Sequence, residues 1–280
     1  MMKETIIVGT DFSTNSFDVI HQALEFAQTH KYVVHIVHIL EERFFAKTLK
    51  GYDTIYAHSF SELQMVFPHI TKEQFHIPKE YLSLDDGIKS YVDSLGASLV
   101  ILGSSGERGD ALKQLLGSNI KSIVNSVEVP CLIIKTHGKK LKFENILIPT
   151  DLSEASQKNI HAVHKLMPNA NLELLHSYSL PYERRLHFYG VDQKEILEYQ
   201  KEVNTCAINN TYNFYESLDV DKNRIDLLIK QDALEVESLS KYALETNSDL
   251  ISLHITGHFS FFPFDLLEFA PTDTLITKII

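Results

Sequence analysis

Short runs of Val, Ile and Leu recur along the chain without the apolar–polar alternation that is typical of half-buried strands. Such runs indicate strands that are covered on both faces. Between them, apolar residues recur at helical spacing, as in the stretch from Phe17 to Ala27, which follows Ser13 or Asn15 as a helix cap. In the first half the predicted strands lie at about residues 4–9, 33–39, 74–77, 98–102 and 129–134.

Strands of this kind that alternate with helices predict a parallel sheet with helices on both faces and right-handed crossovers. The fold class is therefore α/β, with each half of the chain doubly wound. In such sheets ligands bind at the carboxyl ends of the strands, where the strand order reverses. Thr10, Asp11, Ile39 and Gly103 fall at predicted strand ends and are candidate binding residues.

The chain contains an internal repeat. Residues 5–13 and 145–153 each contain an apolar run followed by Thr-Asp-x-Ser, and the two segments are 140 residues apart in a chain of 280. Later segments repeat in the same order, since 37–39 is similar to 175–177 and 97–103 is similar in character to 247–253. The polar stretch 136–140 separates the copies, and we predict domains at 1–137 and 141–280.

Composition narrows the possible functions. Apolar residues make up 44% and charged residues 22%, as expected for a folded globular protein. The net charge of −11 argues against a nucleic-acid or anionic-membrane partner. Two distant cysteines, a short apolar N-terminus and the lack of a long apolar run predict a cytoplasmic protein without a disulfide framework, signal peptide or transmembrane segment.

The segment from Gly103 to Asp110, followed by Gly117-Ser118-Asn119, is the strongest candidate for chemistry. It follows a predicted strand and precedes a helix. Glycines permit close backbone approach, and the N–H groups at a helix start favour phosphate. The segment matches neither the Walker A motif nor Gly-x-Gly-x-x-Gly, so a phosphate cradle and an ordinary glycine-rich turn both remain open at this point.

These motifs and their order resemble the universal stress protein family, along nearly the whole chain and as two tandem copies. The resemblance rests on Thr-Asp-x-Ser after the first strand, on Gly-x-x-Gly followed by Gly-Ser, and on the Pro130-containing last strand. It implies Rossmann-like or flavodoxin-like domains of the adenine nucleotide alpha hydrolase type. It also implies that the first domain binds ATP or a related adenine nucleotide, such as ADP or AMP.

The resemblance assigns roles to individual residues of the first domain. Asp11, after Thr10, is similar to a carboxylate beside the nucleotide, which could also help hold Mg²⁺, and Ile39 is similar to a residue whose backbone contacts adenine. The remaining nucleotide-binding positions are Gly103, Gly106, Gly117, Ser118 and Asn119. One departure is the ten-residue gap from Gly106 to Gly117, which is one residue longer than in the family pattern.

The second half departs further from the pattern. His254 stands for the first glycine and Pro271-Thr272 for Gly-Ser, which predicts a degenerate domain without an anion cradle. Four phenylalanines between 259 and 264 indicate either packing against another domain or subunit, or an apolar-ligand pocket. The chain also ends shortly after position 278, so we expect this domain to lack the last strand. Strand 129–134 would then be free to form a homodimer.

No catalytic residue or metal site is predicted. The fourteen histidines lack the spacing of a metal site, and Gly-x-Ser-x-Gly is absent. The resemblance thus implies a cytoplasmic stress-response regulator that binds a nucleotide, and we expect that it is not an enzyme, with at most slow ATP hydrolysis. The alternative is a nucleotide-independent interaction protein, or an apolar-ligand binder, that acts through the second domain.

Overall fold

The computed structural model describes residues 4–40, 51–80, 82–104, 118–135, 141–180, 183–256, 264–265 and 269–279. The strands are β1 (Thr5–Gly9), β2 (Val33–Val37), β3 (Phe75–His76), β4 (Ala97–Gly103), β5 (Cys131–Ile134), β6 (Asn145–Thr150), β7 (Asn171–Tyr178), β8 (Ile225–Gln231), β9 (Leu250–Thr256) and β10 (Asp273–Ile279). The α-helices are α1 (Thr14–His30), α2 (Tyr52–Val66), α3 (Leu84–Leu95), α4 (Ser118–Ser126), α5 (Glu154–Leu166), α6 (Glu183–Phe188), α7 (Gln193–Ser217) and α8 (Val236–Glu245).

All ten strands form one sheet in the order β3-β2-β1-β4-β5-β10-β9-β6-β7-β8. The strands of each half pair in parallel, as the sequence predicted, and the two halves show the same strand order about their junction. Two tandem Rossmann-like sheets are thereby confirmed. The proposed boundary lies between β5 and β6, where residues 136–140 are outside the described residues.

The expectation that the second domain lacks its last strand is wrong. β10 pairs in parallel with β9, just as β5 pairs with β4, so each half has five strands. Polar residues made β10 hard to recognise, because Asp273, Thr274 and Thr277 interrupt its apolar pattern. They are nevertheless buried. Asp273 Oδ1 accepts a hydrogen bond of 2.8 Å from the backbone N–H of Lys135, a residue of the other half.

Strand 129–134 as the interface of the predicted homodimer is also contradicted, whereas the homodimer itself stays a prediction. β5 pairs with β4 on one side and, antiparallel, with β10 of the same chain on the other. Leu275 stands opposite Leu132 in this pair, and both side chains are fully buried. Because the edge of β5 is already covered within the chain, it is not available to another molecule.

Because helices cover both faces of the sheet, the hydrophobic core has two layers. On one face a single apolar cluster runs through both halves, from Val8 and Leu132 to Ile148 and Leu275, and it includes buried residues of α1 and α5. The other face has separate clusters, one under α3 and α4 and one under α8. Uninterrupted apolar strands are thus covered on both sides, which explains the lack of alternation in the sequence.

Local signals set the helix ends. Ser13 caps α1, since its Oγ accepts from the N–H of Ser16 at 3.2 Å, which selects it over Asn15 among the two predicted caps. Lys31 caps the C-terminus of α1 and Gly96 caps that of α3, and both residues have a left-handed backbone conformation. Within the described part of the chain, no helix combines the length and apolar character needed to cross a membrane.

A histidine pair lies on the outer strands of the first half. His35 Nδ1 and His76 Nε2 are 2.8 Å apart, and the His76 ring packs at 5.1 Å from the ring of Tyr91. Burial lowers the pKa of His76 from 6.5 to about 4, and the neighbouring His35 makes a smaller contribution in the same direction. The folded protein therefore resists protonation of His76 at pH values where the unfolded chain accepts the proton.

We expect this difference to make the protein less stable in mild acid. The unfolded state binds more protons between about pH 6.5 and pH 4, so the free energy of unfolding falls as the pH drops through that window. The loss attributable to His76 is about 1 to 2 kcal/mol, after a discount for its partial exposure. Urea denaturation at pH 7 and pH 5 should show a smaller loss for His76→Gln than for the wild type. Exposed His58→Gln is the control. If His76→Gln loses as much unfolding free energy between pH 7 and pH 5 as the wild type, the prediction is contradicted.

Candidate functional site

The strand order of the first half reverses between β1 and β4. β1 has β2 on one side and β4 on the other, and the helices α1 and α4 pack on opposite faces of the sheet. Such a reversal opens a crevice at the carboxyl ends of the two strands. Thr10 and Asp11 directly follow β1, and Gly103 ends β4. The structure thus brings these three predicted residues to the two sides of one crevice.

Asp11 lies in a tightly hydrogen-bonded turn. Its Oδ1 accepts from the N–H of Ser13 at 3.0 Å and from the Ser13 hydroxyl at 2.6 Å. The preceding Thr10 hydroxyl accepts from the N–H of Phe12 at 3.1 Å, and Phe12 has a left-handed φ of 61°. Ser13, rather than Asp11, is the cap of α1, so Asp11 orients the cap while its carboxylate is exposed at the crevice.

His38 ties the turn after β1 to the end of β2. Its Nδ1 lies 2.8 Å from the carbonyl oxygen of Thr10, and its ring packs 4.6 Å from that of Phe12. A carbonyl only accepts, so Nδ1 carries the proton. Burial lowers the pKa of His38, although the Thr10 carbonyl and the Asp11 charge oppose the shift. His38 was not among the binding residues predicted from the sequence, although its repetition as His176 indicated that the position matters.

Ile39 follows His38 and is buried against α3. Gly87 makes this contact possible, because a Cβ atom at Gly87 would lie only 2.5 Å from Ile39 Cδ1. Gly87 is a second residue that sequence analysis missed. A lone glycine inside a helix was its only signal. The close approach of α3 fixes the position of Ile39, the residue expected to contact adenine.

The glycine segment is described in part. The N–H of Ser104, next to Gly103, donates to the carbonyl of Ile134 at 2.9 Å, which anchors the end of β4 to β5. Gly106 and Gly117 lie outside the described residues. Ser118 begins α4 and Asn119 follows it as an exposed residue. The described part of α4 therefore begins within the predicted Gly-Ser pair.

The second half repeats the turn after the first strand. Leu152 has a φ of 62°, its N–H donates to the Thr150 hydroxyl at 3.0 Å, and His176 Nδ1 lies 3.2 Å from the Thr150 carbonyl oxygen. Burial opposes ionisation of Asp151, but hydrogen bonds from Ser153 and Ser156 outweigh it, and the pKa of the carboxyl is lowered. The turn is therefore a property of the repeat and does not distinguish the two halves.

The difference between the halves lies on β9. Ile6 pairs with Leu99 and the equivalent Ile146 pairs with Leu250, so His254 occupies the place of Gly103. Its side chain is half-buried, and the Asp151 charge partly opposes the effect of burial, which lowers the pKa of His254. An imidazole thus fills a position where the first half has no side chain.

The predicted role of Pro271-Thr272 was wrong. We expected this pair to replace Gly-Ser at the start of a helix, but it leads directly into β10. Val129-Pro130 occupies the same place before β5. Pro271 therefore belongs to the strand entrance, and it gives no information about an anion cradle.

The comparison with protein families covers this same half. Residues 2–135 match the model of the universal stress protein family. The first half of the chain is a universal stress protein domain. The match includes the turn with Asp11, the end of β2 with Ile39, and the whole glycine segment. No curated protein matches the chain.

Solved structures extend the similarity to both halves. A universal stress protein from Archaeoglobus fulgidus aligns with a TM-score of 0.62 at 16% identity, over 99% of this chain and 99% of that one. A functionally unknown protein from Pseudomonas aeruginosa aligns with a TM-score of 0.67 at 11% identity, over 99% of this chain and 92% of that one. At such identities the likeness establishes the fold alone. The universal stress protein domain is thus followed by a second domain in the same overall fold.

The histidines and the phenylalanine segment 259–264 are the remaining candidates for a binding site. Across the described ranges, no three His, Cys, Asp or Glu side chains are grouped so as to hold a metal ion. Of the phenylalanines between 259 and 264, Phe264 is described. It is buried in the cluster under α3 and α4, with Lys121 Nζ 5.8 Å from its ring centroid. Phe264 therefore packs against the universal stress protein domain, which favours the domain-packing alternative for this residue.

Proposed function

We propose that the universal stress protein domain binds ATP or a related adenine nucleotide in the crevice between the ends of β1 and β4. The observation that supports it best is the position of Asp11 and Gly103 on opposite sides of the point where the strand order reverses. The whole chain would act as a cytoplasmic stress-response regulator. Its second domain, where His254 replaces glycine, would be a partner that does not bind the nucleotide.

The residues present fit such a ligand. The Ile39 backbone, held by His38 and Gly87, would contact the adenine ring. The exposed Asp11 carboxylate can accept hydrogen bonds from sugar hydroxyl groups. Phosphates suit the N–H groups at the start of α4 together with Gly103, where no side chain blocks close approach. Gly106, Gly117 and Ser118 are the proposed remainder of the phosphate site.

Binding rather than turnover is the proposed activity. Hydrolysis needs a residue that orients or deprotonates water. Asp11 Oδ1 is already engaged by Ser13, and His38 Nδ1 is engaged by Thr10. Their contacts suit a fixed binding surface. If slow hydrolysis occurs, Asp11 would help hold Mg²⁺ beside the phosphates.

The repeat offers a matched test of this proposal. Asp11→Asn should weaken binding of MgATP about tenfold, because a neutral amide accepts hydrogen bonds less strongly than a carboxylate. The amide oxygen can keep the contact with Ser13, so the helix cap should survive. Asp151→Asn, at the equivalent position of the second half, should leave the affinity unchanged. Isothermal titration calorimetry with MgATP and with ADP measures both effects.

A second variant tests the phosphate site directly. Gly117→Val should remove nucleotide binding, since a branched side chain would block the backbone approach proposed for that position. Native mass spectrometry of the purified protein should detect one adenine nucleotide per wild-type chain and none in this variant. Absence of binding to the wild type at about 1 mM nucleotide would contradict the proposed function and favour a nucleotide-independent interaction protein.

A further inference from the structure

The two edge strands of the ten-stranded sheet differ in length. At one end β3 has two residues, Phe75 and His76, which is a short edge. At the other end β8 has seven residues, Ile225–Gln231, and among the described residues it pairs only with β7. An edge strand of this length offers a row of backbone N–H and C=O groups to another strand.

The apolar side chains of this edge are incompletely covered. Leu227, Leu228 and Ile229 are intermediate in burial, whereas the apolar residues 146–148 of the inner strand β6 are fully buried. A further strand beside β8 would remove more of this apolar surface from water. In the described part of the first half the edge strand is the two-residue β3, so the long edge belongs to the second half.

The sequence of β8 is complementary to itself in the antiparallel direction. About Leu228 as the centre, Asp226 and Lys230 stand two residues away on either side within the strand. Antiparallel pairing of two copies with Leu228 opposite Leu228 therefore sets each acidic residue opposite a basic one. The Asp226–Lys230 pair occurs twice about the two-fold axis, which gives two pairs of opposite charge. An in-register parallel pairing would set like charges side by side.

The charged groups are held beside the edge. Lys230 Nζ lies 5.2 Å from the ring centroid of Tyr242, and the Tyr242 hydroxyl donates to Asp232 at 3.1 Å. Asp226 is exposed. These contacts limit the side-chain entropy that an ion pair across the edge would cost.

We propose that two copies of this chain associate through antiparallel pairing of their β8 strands about Leu228. The sheet would then continue across a two-fold axis, and the second domains would meet at the centre. This interface is independent of nucleotide binding. It also replaces the β5 edge, which is covered within each chain, as the surface through which the protein forms a dimer.

Charge reversal tests this arrangement. Sedimentation velocity between about 1 and 100 µM, where weak specific interfaces associate, should show a wild-type species of twice 32.0 kDa. Lys230→Asp sets Asp226 opposite a new aspartate, and Asp226→Lys sets Lys230 opposite a new lysine. Each variant alone should raise the dimer dissociation constant about tenfold or more. An equimolar mixture of the two should restore the dimer, because every charge pair across the edge is then opposite in sign.

Controls separate the interface from folding. Lys72→Asp reverses an exposed charge beside β3, at the opposite end of the sheet, and should leave the dissociation constant unchanged. Circular dichroism and thermal melting of each variant verify that the fold is kept. A monomeric wild type over the whole range would overturn the proposal and identify Asp226 and Lys230 as charges that keep the edge unpaired. A dimer that resists both reversals, or a mixture that stays monomeric, would overturn it too.

Discussion

Leu275→Ala should lower the free energy of unfolding by about 3 to 4 kcal/mol, the range for a leucine removed from a rigid core. Leu275 has no solvent exposure and lies opposite Leu132, where β10 and β5 join the two halves. Strands pair on both sides of it, so the surroundings have little freedom to close the cavity. The loss combines the hydrophobic transfer free energy of the removed carbon atoms with the cost of the cavity that remains.

Chemical denaturation followed by far-UV circular dichroism measures this loss. Leu244→Ala is the matched control, since Leu244 is 66% exposed and its truncation should change stability by less than about 0.5 kcal/mol. A loss below about 1 kcal/mol for Leu275→Ala would contradict a close-packed junction between the halves. It would mean that β10 contributes little to the common core.

Gly87→Ala should weaken nucleotide binding at least about tenfold, provided that the wild type binds as proposed. The added methyl group would lie 2.5 Å from Ile39 Cδ1 and 3.0 Å from Ile39 Cγ1, so Ile39 or α3 must move. Overpacking of this kind costs about 1 to 3 kcal/mol, which exceeds the 0.5 to 1 kcal/mol that alanine gains over glycine inside a helix. Stability and affinity should therefore fall together.

Gly51→Ala makes the same chemical change at a position where no atom of the described residues lies within 4 Å of the added methyl group. It should bind MgATP as the wild type does. Calorimetric titration of both variants, with thermal melting to verify folding, makes the comparison. A folded Gly87→Ala protein with unchanged affinity would show that the position of Ile39 does not shape the site. A wild type that does not bind would instead contradict the proposed function itself.

Much of the fold could be predicted because the signals are local. The buried strands β1 and β4 are uninterrupted apolar runs, and both halves repeat a Thr-Asp-x-Ser turn that starts a helix. The sequence of the turn is enough to predict its structure, since Thr10 and Ser13 form hydrogen bonds with atoms only two or three residues away. The same locality explains why Asp11 and Gly103 could be placed at strand ends.

Other features depended on contacts between distant residues. Asp273 is buried in β10 because the backbone N–H of Lys135, 138 residues earlier, satisfies its carboxylate. Gly87 matters because Ile39 lies against it, and His38 matters because the Thr10 carbonyl faces it. None of these partners can be identified from spacing along the chain.

The sequence by itself determined a repeated α/β chain, the parallel pairing within each half, the strand ends that hold Asp11 and Gly103, and the loss of glycine at His254. Periodicity and turn chemistry act over a few residues, so they can be recognised without coordinates. Only the tertiary structure decided that β10 completes the second sheet and covers β5, which leaves β8 as the long edge. Strand order and burial of polar groups depend on partners far apart in sequence, and folding alone brings those partners together.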